Sequence, residues 1–127
     1  MPTQGPPSGP PSGDSPDWPA PATFGTVSIL FSAGRTRLVL SGAIDATVGE
    51  EMTSAVAECT ASALPVDVDA RTVTFLDSSG AAHLARLART LPVRVIQPPD
   101  AMRFVLSVTA LDSTVEILDD APDYPVR

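Results

Sequence analysis

The chain has 127 residues, a net charge of −7 and a hydrophobic fraction of 43%, which is typical of one acidic domain with enough apolar side chains for a core. Its eight basic side chains are all arginines and form no cluster, so a direct nucleic-acid partner is not expected. No apolar run approaches the roughly 20 residues of a membrane span, and no secretory leader is recognisable. By elimination, we expect a cytoplasmic protein without membrane insertion.

The first 22 residues differ in composition from the rest of the chain. They hold eight of the fourteen prolines, with glycine and serine between them and no apolar periodicity. Such a segment cannot bury enough surface to offset the entropy lost on ordering, so we predict a disordered tail over 1–22. One domain is predicted over 23–118, and a flexible acidic tail over 119–127.

In chain order, the domain opens with two short β-branched and apolar runs, Thr26–Phe31 and Arg37–Ser41. A compact turn joins them, which predicts an antiparallel hairpin. A helix is predicted over Val48–Ala63, because apolar residues recur there at helical spacing and Thr47 with Glu50 forms a capping-box pattern.

The remaining elements alternate between strand and helix. We predict strands over Val66–Asp69 and Thr72–Leu76, followed by a helix over Gly80–Thr90. A strand over Val93–Ile96, a helix over Ala101–Thr109 that Asp100 caps, and a last strand over Thr114–Leu118 complete the predicted order. Strand–helix–strand units form right-handed crossovers between parallel strands. The order therefore predicts an α/β fold with a mixed, mostly parallel sheet and helices packed against it.

The segment Asp77-Ser78-Ser79-Gly80 turns the chain out of a strand and into a helix. The free backbone N–H groups and the dipole of a helix N-terminus favour an anion, so a phosphate on a serine hydroxyl would be stabilised there. The same residue types also serve as ordinary helix caps. These four residues alone do not separate the two interpretations.

A second loop, Gly42–Asp45, also follows a predicted strand and precedes a helix. Functional loops of parallel sheets gather at the carboxyl edge, so we expect this loop to meet Asp77–Gly80 there. Asp45 is a candidate site residue, although an aspartate before a helix is ordinarily a cap.

Catalysis and metal binding are not expected. Ser78 or Ser79 with Asp77 and His83 has the residue types of a hydrolase triad, but His83 follows on the same helix, whereas a triad draws its members from separate elements. One histidine and one cysteine supply too few ligands for a metal site, and no cofactor is implied. Cys59 falls on the predicted core face of its helix, where a thiol is inert.

Several stretches, in order along the chain, resemble STAS domains, which occur in anti-sigma factor antagonists and in the tails of sulfate transporters. They are Val39–Asp45, Val66–Asp69, Phe75–Gly80, Pro99–Leu106 and Thr109–Asp112. The resemblance extends over about residues 24–118, and its most specific part is Asp-Ser-Ser-Gly.

The resemblance implies a partner-switching regulator that is not an enzyme. Ser78 would be the phosphoacceptor, with Ser79 as the alternative. The unphosphorylated chain would bind an anti-sigma factor that is also a serine kinase and so free the sigma factor; phosphorylation would separate the two, and a serine phosphatase would reset the chain. The partner-binding residues implied are Asp45, Asp77, Ser78, Ser79, Gly80 and His83.

A second interpretation stays open, in which the chain is a STAS adaptor or scaffold subunit without phosphorylation, for example of a membrane transport system. The sequence also departs from the family at three points. The link before Val93 is short and lacks a glycine, and residues 119–127 contain no clear fourth helix. Ala110 stands where a helix-ending glycine is common, which argues against a left-handed cap there.

Overall fold

The computed structural model describes residues 24–32 and 34–122, in which five strands and three helices are arranged along the chain. The strands are β1 Thr26–Ser32, β2 Arg35–Ile44, β3 Val66–Leu76, β4 Val93–Ile96 and β5 Glu116–Leu118. The helices are α1 Gly49–Ser62, α2 Ser78–Thr90 and α3 Asp100–Val108. The tail predicted over 1–22 and the last part of the tail predicted over 119–127 lie outside the described residues.

The five strands form one sheet whose spatial order is the order of the sequence, β1-β2-β3-β4-β5. The hairpin of β1 and β2 is antiparallel, with Thr26 opposite Ser41 and Ser32 opposite Arg35. The other three pairings are parallel. This arrangement confirms the predicted α/β fold with a mixed, mostly parallel sheet.

A single hydrophobic core joins the three helices to one face of the sheet. Along β2, every second residue from Thr36 to Ile44 is buried, which is the two-residue period of a strand with one covered face. Cys59 lies in this core, fully buried, and burial together with the neighbouring Glu58 raises the pKa of its thiol to about 11. The thiolate is therefore disfavoured, in agreement with an inert cysteine.

The opposite face of the sheet carries charged side chains at its centre, and in the described part of the chain no helix covers it. Two aspartates of β3 point to this face and are nevertheless buried, Asp67 at 0% and Asp69 at 4% exposure. Asp67 accepts hydrogen bonds from both Arg35 and Arg94, at 2.7 to 3.0 Å. Arginine side chains thus shield these carboxylates from water in place of a helix.

The second aspartate, Asp69, is held in the same way by Arg37 and Arg71, whose guanidinium groups lie at 2.8 and 2.7 Å. Hydrogen bonds from Arg71 and Arg37 lower the pKa of Asp69 to about 2 against the opposing effect of burial. Pairing of this kind is required here, because a buried carboxylate without a partner would cost several kcal/mol.

Two strands are longer than predicted. The runs Val66–Asp69 and Thr72–Leu76 form the single strand β3, and β2 continues past Ser41 to Ile44. Irregular register between these strands, after Val39 and after Gly42, accommodates the extra residues. The last strand is shorter than predicted, because the chain up to Thr114 is taken up by a 3₁₀ turn.

Two predicted helix caps were wrong. Thr47 does not cap α1; it lies in a 3₁₀ turn, Ala46–Val48, which is capped by Asp45, and α1 follows from Gly49. Asp100 does not cap α3 but is its first residue, because the extended Pro99 occupies the N-cap position. As the first helical residue, Asp100 still places a negative charge where the helix dipole favours it.

Ala110 follows the end of α3 in the left-handed conformation, with a φ of 61°. The alanine at this position, which argued against a left-handed cap, thus adopts that conformation all the same. Ala63 adopts the same conformation at the end of α1, with a φ of 57°. An L-residue is strained there, and both alanines are exposed; backbone hydrogen bonds hold the two turns, from the N–H of Ala63 to the carbonyl of Cys59 and from the N–H of Ala110 to that of Ser107.

Candidate functional site

The candidate site lies where β2 and β3 end side by side. Ile44 and Leu76 are register partners, and the backbone N–H of Asp77 donates to the carbonyl oxygen of Ile44 at 3.3 Å. Asp45 and Asp77 are the residues that follow this pair. The structure therefore brings the two candidate loops together at the carboxyl edge of the sheet.

Asp77 caps α2. Its Oδ1 atom accepts from the backbone N–H of Gly80 at 3.0 Å and from the hydroxyl of Ser79 at 2.7 Å. The Ser79 hydroxyl first, and then the backbone N–H of Gly80, hold the pKa of Asp77 below its ordinary value. Asp77 is thus a fixed negative charge at neutral pH, and of the four motif residues it is the one that performs the ordinary capping role.

The two serines differ in environment, although they are neighbours in the same helical turn. Ser79 is half-buried, and its hydroxyl is engaged by Asp77. Ser78 is exposed, and within the part of the chain that the structure describes its hydroxyl makes no hydrogen bond. Of the two serines, only Ser78 presents a hydroxyl that is exposed and not engaged by Asp77.

Gly80 is buried where the first turn of α2 crosses the end of β2. A Cβ atom at this position would lie 2.6 Å from the carbonyl oxygen of Ile44 and 2.6 Å from Cδ1 of Leu76. Both distances are below van der Waals contact. Glycine is required here for close approach, and it fixes how near Ser78 comes to the sheet edge.

Asp45 has a local role in the neighbouring loop. Its Oδ1 atom accepts from the backbone N–H of Thr47 at 3.0 Å and also from the Thr47 hydroxyl, which caps the 3₁₀ turn. Its side chain is half-buried at the same sheet edge as Asp77. Asp45 therefore contributes a second negative charge to this edge, held in place by its capping bonds.

His83 lies one turn further along α2 and does not complete a catalytic triad. Its Nδ1 atom accepts a hydrogen bond from the guanidinium of Arg86. Burial, and then the positive charge of Arg86, lower the pKa of His83, so its ring is neutral at neutral pH. The carboxylate that a triad would need, Asp77, is engaged by Ser79 and Gly80 instead.

A groove of about 380 Å³ begins at Ser78 and was not foreseen from the sequence. One wall is a stripe on α2 and the other is the turn that leaves α3. Its lining residues are Ser78, Ala81, Ala82, Ala85, Arg89, Thr109, Ala110, Leu111 and Thr114. In the sequence, the groove is indicated by the spacing of the alanines in α2, because small residues at helical spacing leave room for another surface to approach.

The described residues contain no group of three or more His, Cys, Asp or Glu side chains placed to hold a metal ion. Among the described helices, none combines the length and the apolar character that crossing a membrane requires.

The chain is similar in sequence to a known family of protein domains. The family model described as "Mlab, STAS domain" matches residues 28–119. No curated protein matches the chain by sequence.

Solved structures resemble the chain over most of its described length. An anti-sigma factor antagonist from Mycobacterium paratuberculosis is 25% identical, with a TM-score of 0.69; the match covers 78% of this chain and 88% of that one. The anti-sigma factor antagonist SpoIIAA in its unphosphorylated form is 16% identical, with a TM-score of 0.60, and the match covers 72% of this chain and 87% of that one.

Proposed function

Because this chain belongs to the STAS domain family, we propose that it is an anti-sigma factor antagonist whose partner binding is controlled by phosphorylation of Ser78. The likeness to the mycobacterial antagonist supports the general class. The observation that carries the proposal is the contrast within α2: Ser78 is exposed with an unengaged hydroxyl, whereas Ser79 is bound to Asp77.

The proposed partner is an anti-sigma factor with serine kinase activity. In the unphosphorylated state, a neutral Ser78 enters the interface at little cost, and the groove along α2 receives part of the partner. Alanines line much of this groove, so a partner helix or loop can come close to the backbone of α2. Occupying the anti-sigma factor in this way frees the sigma factor.

Phosphorylation then reverses the binding. The kinase transfers the γ-phosphoryl group of ATP to Oγ of Ser78, the hydroxyl proton is lost, and ADP leaves. The product carries about −1.5 to −2 charges next to the ionised Asp77 and near Asp45. Burying that charge among like charges is unfavourable, so the complex separates; a serine phosphatase restores the hydroxyl by hydrolysis and releases inorganic phosphate.

The test starts from the full chain, its anti-sigma partner and ATP. We expect mass spectrometry to place one phosphate on Ser78. The Ser78→Ala variant should take up none, whereas the matched Ser79→Ala variant should still be phosphorylated at Ser78. Phosphate on Ser79 alone, or none on the wild type while the complex forms, would contradict the proposed switch.

Affinity provides the second readout. A penalty of about 3 kcal/mol corresponds to more than a hundredfold in Kd, so the chain phosphorylated at Ser78 should bind the anti-sigma factor about a hundredfold more weakly than the unphosphorylated chain. Ser78→Asp, which carries about half of that added charge, should bind about tenfold more weakly. Ser78→Ala should bind as the wild type does, because it removes the phosphorylation site without adding charge. Calorimetry or surface plasmon resonance measures these affinities.

A second candidate is a STAS adaptor that binds its partner permanently. One observation favours it: the carboxylate of Asp77 already accepts from Gly80, so a phosphate at Ser78 would find one backbone donor of the helix N-terminus occupied. The same experiments separate the two functions. If the chain is an adaptor, the wild type and Ser78→Asp would bind the partner equally well, and the wild type would carry no phosphate.

A further inference from the structure

In the described part of the chain, β1 is an edge strand of the sheet and lacks the usual protection against pairing. Its seven residues, TVSILFS, include no charged side chain and no proline, and they pair with β2 in continuous register. Folded proteins usually protect such an edge with lysine, proline, bulges or a covering element. Within residues 24–32 and 34–122, nothing pairs with the outer side of β1.

On the face of the sheet that carries the helices, the side chains of this edge are apolar, namely Val27, Ile29 and Phe31. Val27 and Ile29 form the floor of a groove of about 490 Å³ between β1 and α1. Further along the strand, Leu30 is 50% exposed and Phe31 is 54% exposed. A strand added to this edge would gain backbone hydrogen bonds and would cover the apolar side chains of the helix-bearing face, together with Leu30 on the other face.

The wall of the same groove is acidic. Glu50, Glu51 and Glu58 of α1 line it together with Ser54 and Ala55, and no basic residue is among its lining. At 1.5 Å per residue, Glu51 and Glu58 are about 10 Å apart along the helix, so the negative charge extends along the groove above Val27 and Ile29.

We propose that this edge is a second docking site, and that its occupant is an extended, basic segment of a partner protein that adds to β1 as a sixth strand. Apolar side chains at alternate positions would lie on Val27 and Ile29, and cationic ones would meet the glutamates of α1. The surface is separate from Ser78, because α1 packs between β1 on one side and α2 on the other. Binding at this edge is therefore independent of the state of Ser78.

The charge of the groove also decides against a second copy as the occupant. Antiparallel pairing of two β1 strands into one continuous sheet requires a twofold axis perpendicular to the sheet, which places both α1 helices on the same side. The two glutamate walls would then face each other across the axis. A cationic strand removes this repulsion and pairs with the carboxylates instead.

The test uses the full chain and two probes, a short peptide of alternating lysine and valine and its counterpart with glutamate in place of lysine. We expect the lysine peptide to bind about tenfold more tightly or better, to weaken as salt is added, and to shift the amide resonances of β1 and α1. Failure of both peptides to bind, equal binding of the two, or resonance shifts confined to other elements would overturn the proposal.

Variants make the test specific. Glu51→Lys/Glu58→Lys should reverse the preference toward the glutamate peptide, whereas Asp112→Lys/Asp120→Lys, which changes the net charge by the same amount outside the groove, should leave it unchanged. Ser78→Asp should bind the lysine peptide as the wild type does, which separates this site from the proposed switch. Sedimentation showing a dimer that Leu30→Lys dissociates, or protection from exchange in the free monomer of those β1 amides that point away from β2, would assign the edge to another occupant and overturn the proposal.

Discussion

At the start of α2, Gly80 packs so closely against the end of β2 that a larger residue requires the helix to move. The nearest obstacle to a Cβ atom is a backbone carbonyl, that of Ile44 at 2.6 Å, which cannot rotate away as a flexible side chain could. This single contact therefore couples the position of Ser78 to the sheet.

We expect Gly80→Ala to destabilise the fold by about 1–3 kcal/mol, the usual cost of overpacking, measured by urea denaturation. The matched control is Gly49→Ala in α1, where nothing lies within 4 Å of the added Cβ atom. Since alanine is the better helix former, that variant should be more stable than the wild type by about 0.5–1 kcal/mol. Equal effects of the two substitutions would show that close approach does not explain Gly80.

The candidate site residues stand out in the sequence, but the separate role that each side chain has in the structure does not. Asp77, Ser78, Ser79 and Gly80 stand out as a strand-to-helix turn, and any of the first three is a good cap. Which of them acts as the cap depends on the directions of side chains within one turn, which residue types do not specify. The reason for Gly80 was also hidden, because it depends on the carbonyl of Ile44, some 36 positions earlier in the chain.

Among the elements, the ends of α1 and α3 are held in left-handed turns by alanines rather than glycines. Ala110 is exposed after α3, with a φ of 61°, a conformation that costs an L-residue about 1–2 kcal/mol. It also lines the groove that begins at Ser78. The turn that closes this groove is thus less stable than it could be.

Replacing Ala110 with glycine should relieve this strain and raise the free energy of unfolding by about 0.5–1 kcal/mol, after allowance for the greater freedom of glycine in the unfolded chain. The same substitution at Ala57, exposed within α1, should lower it by about 1 kcal/mol. Thermal or urea denaturation compares the two variants. A loss of stability in Ala110→Gly would show that the left-handed turn is not strained.

The existence and type of the elements followed from local patterns, whereas several boundaries depended on tertiary contacts. Alternation of apolar residues predicts the strands because one face of the sheet is buried. The arginines and aspartates of β2 and β3 obscured this alternation, since Asp67 and Asp69 are buried on the other face through their ion pairs. The misplaced helix starts near Thr47 and Asp100 have a similar cause, because several neighbouring residues there can cap a helix and the path of the chain selects among them.

For the molecule as a whole, the ion pairs on the open face of the sheet make stability depend on pH. The pKa of Asp69 is about 2 in the folded protein, against an ordinary value of 3.8. A carboxyl group with a lowered folded pKa stabilises the protein above its unfolded pKa. That contribution is lost as pH falls from about 4 toward 2.

We therefore expect the free energy of unfolding to fall with acidification over that range. In Asp69→Asn the slope against pH should be smaller than in the wild type, by up to about 1.4 kcal/mol per pH unit, because one fewer proton is taken up on unfolding. The variant should also be less stable at neutral pH, since Arg37 and Arg71 lose their shared carboxylate. Urea denaturation at a series of pH values measures both effects, and an unchanged slope would contradict this explanation.

The strand order of the sheet, β1 to β5 without exchange, has a consequence for synthesis on the ribosome. Each strand pairs with the one made immediately before it, so its partner has already emerged when it leaves the exit tunnel. The hairpin can form first, and each later helix and strand can then add to a growing layer rather than wait for a distant segment. A chain with this strand order should assemble progressively from its amino-terminal side, and each strand that emerges becomes the new edge of the growing sheet.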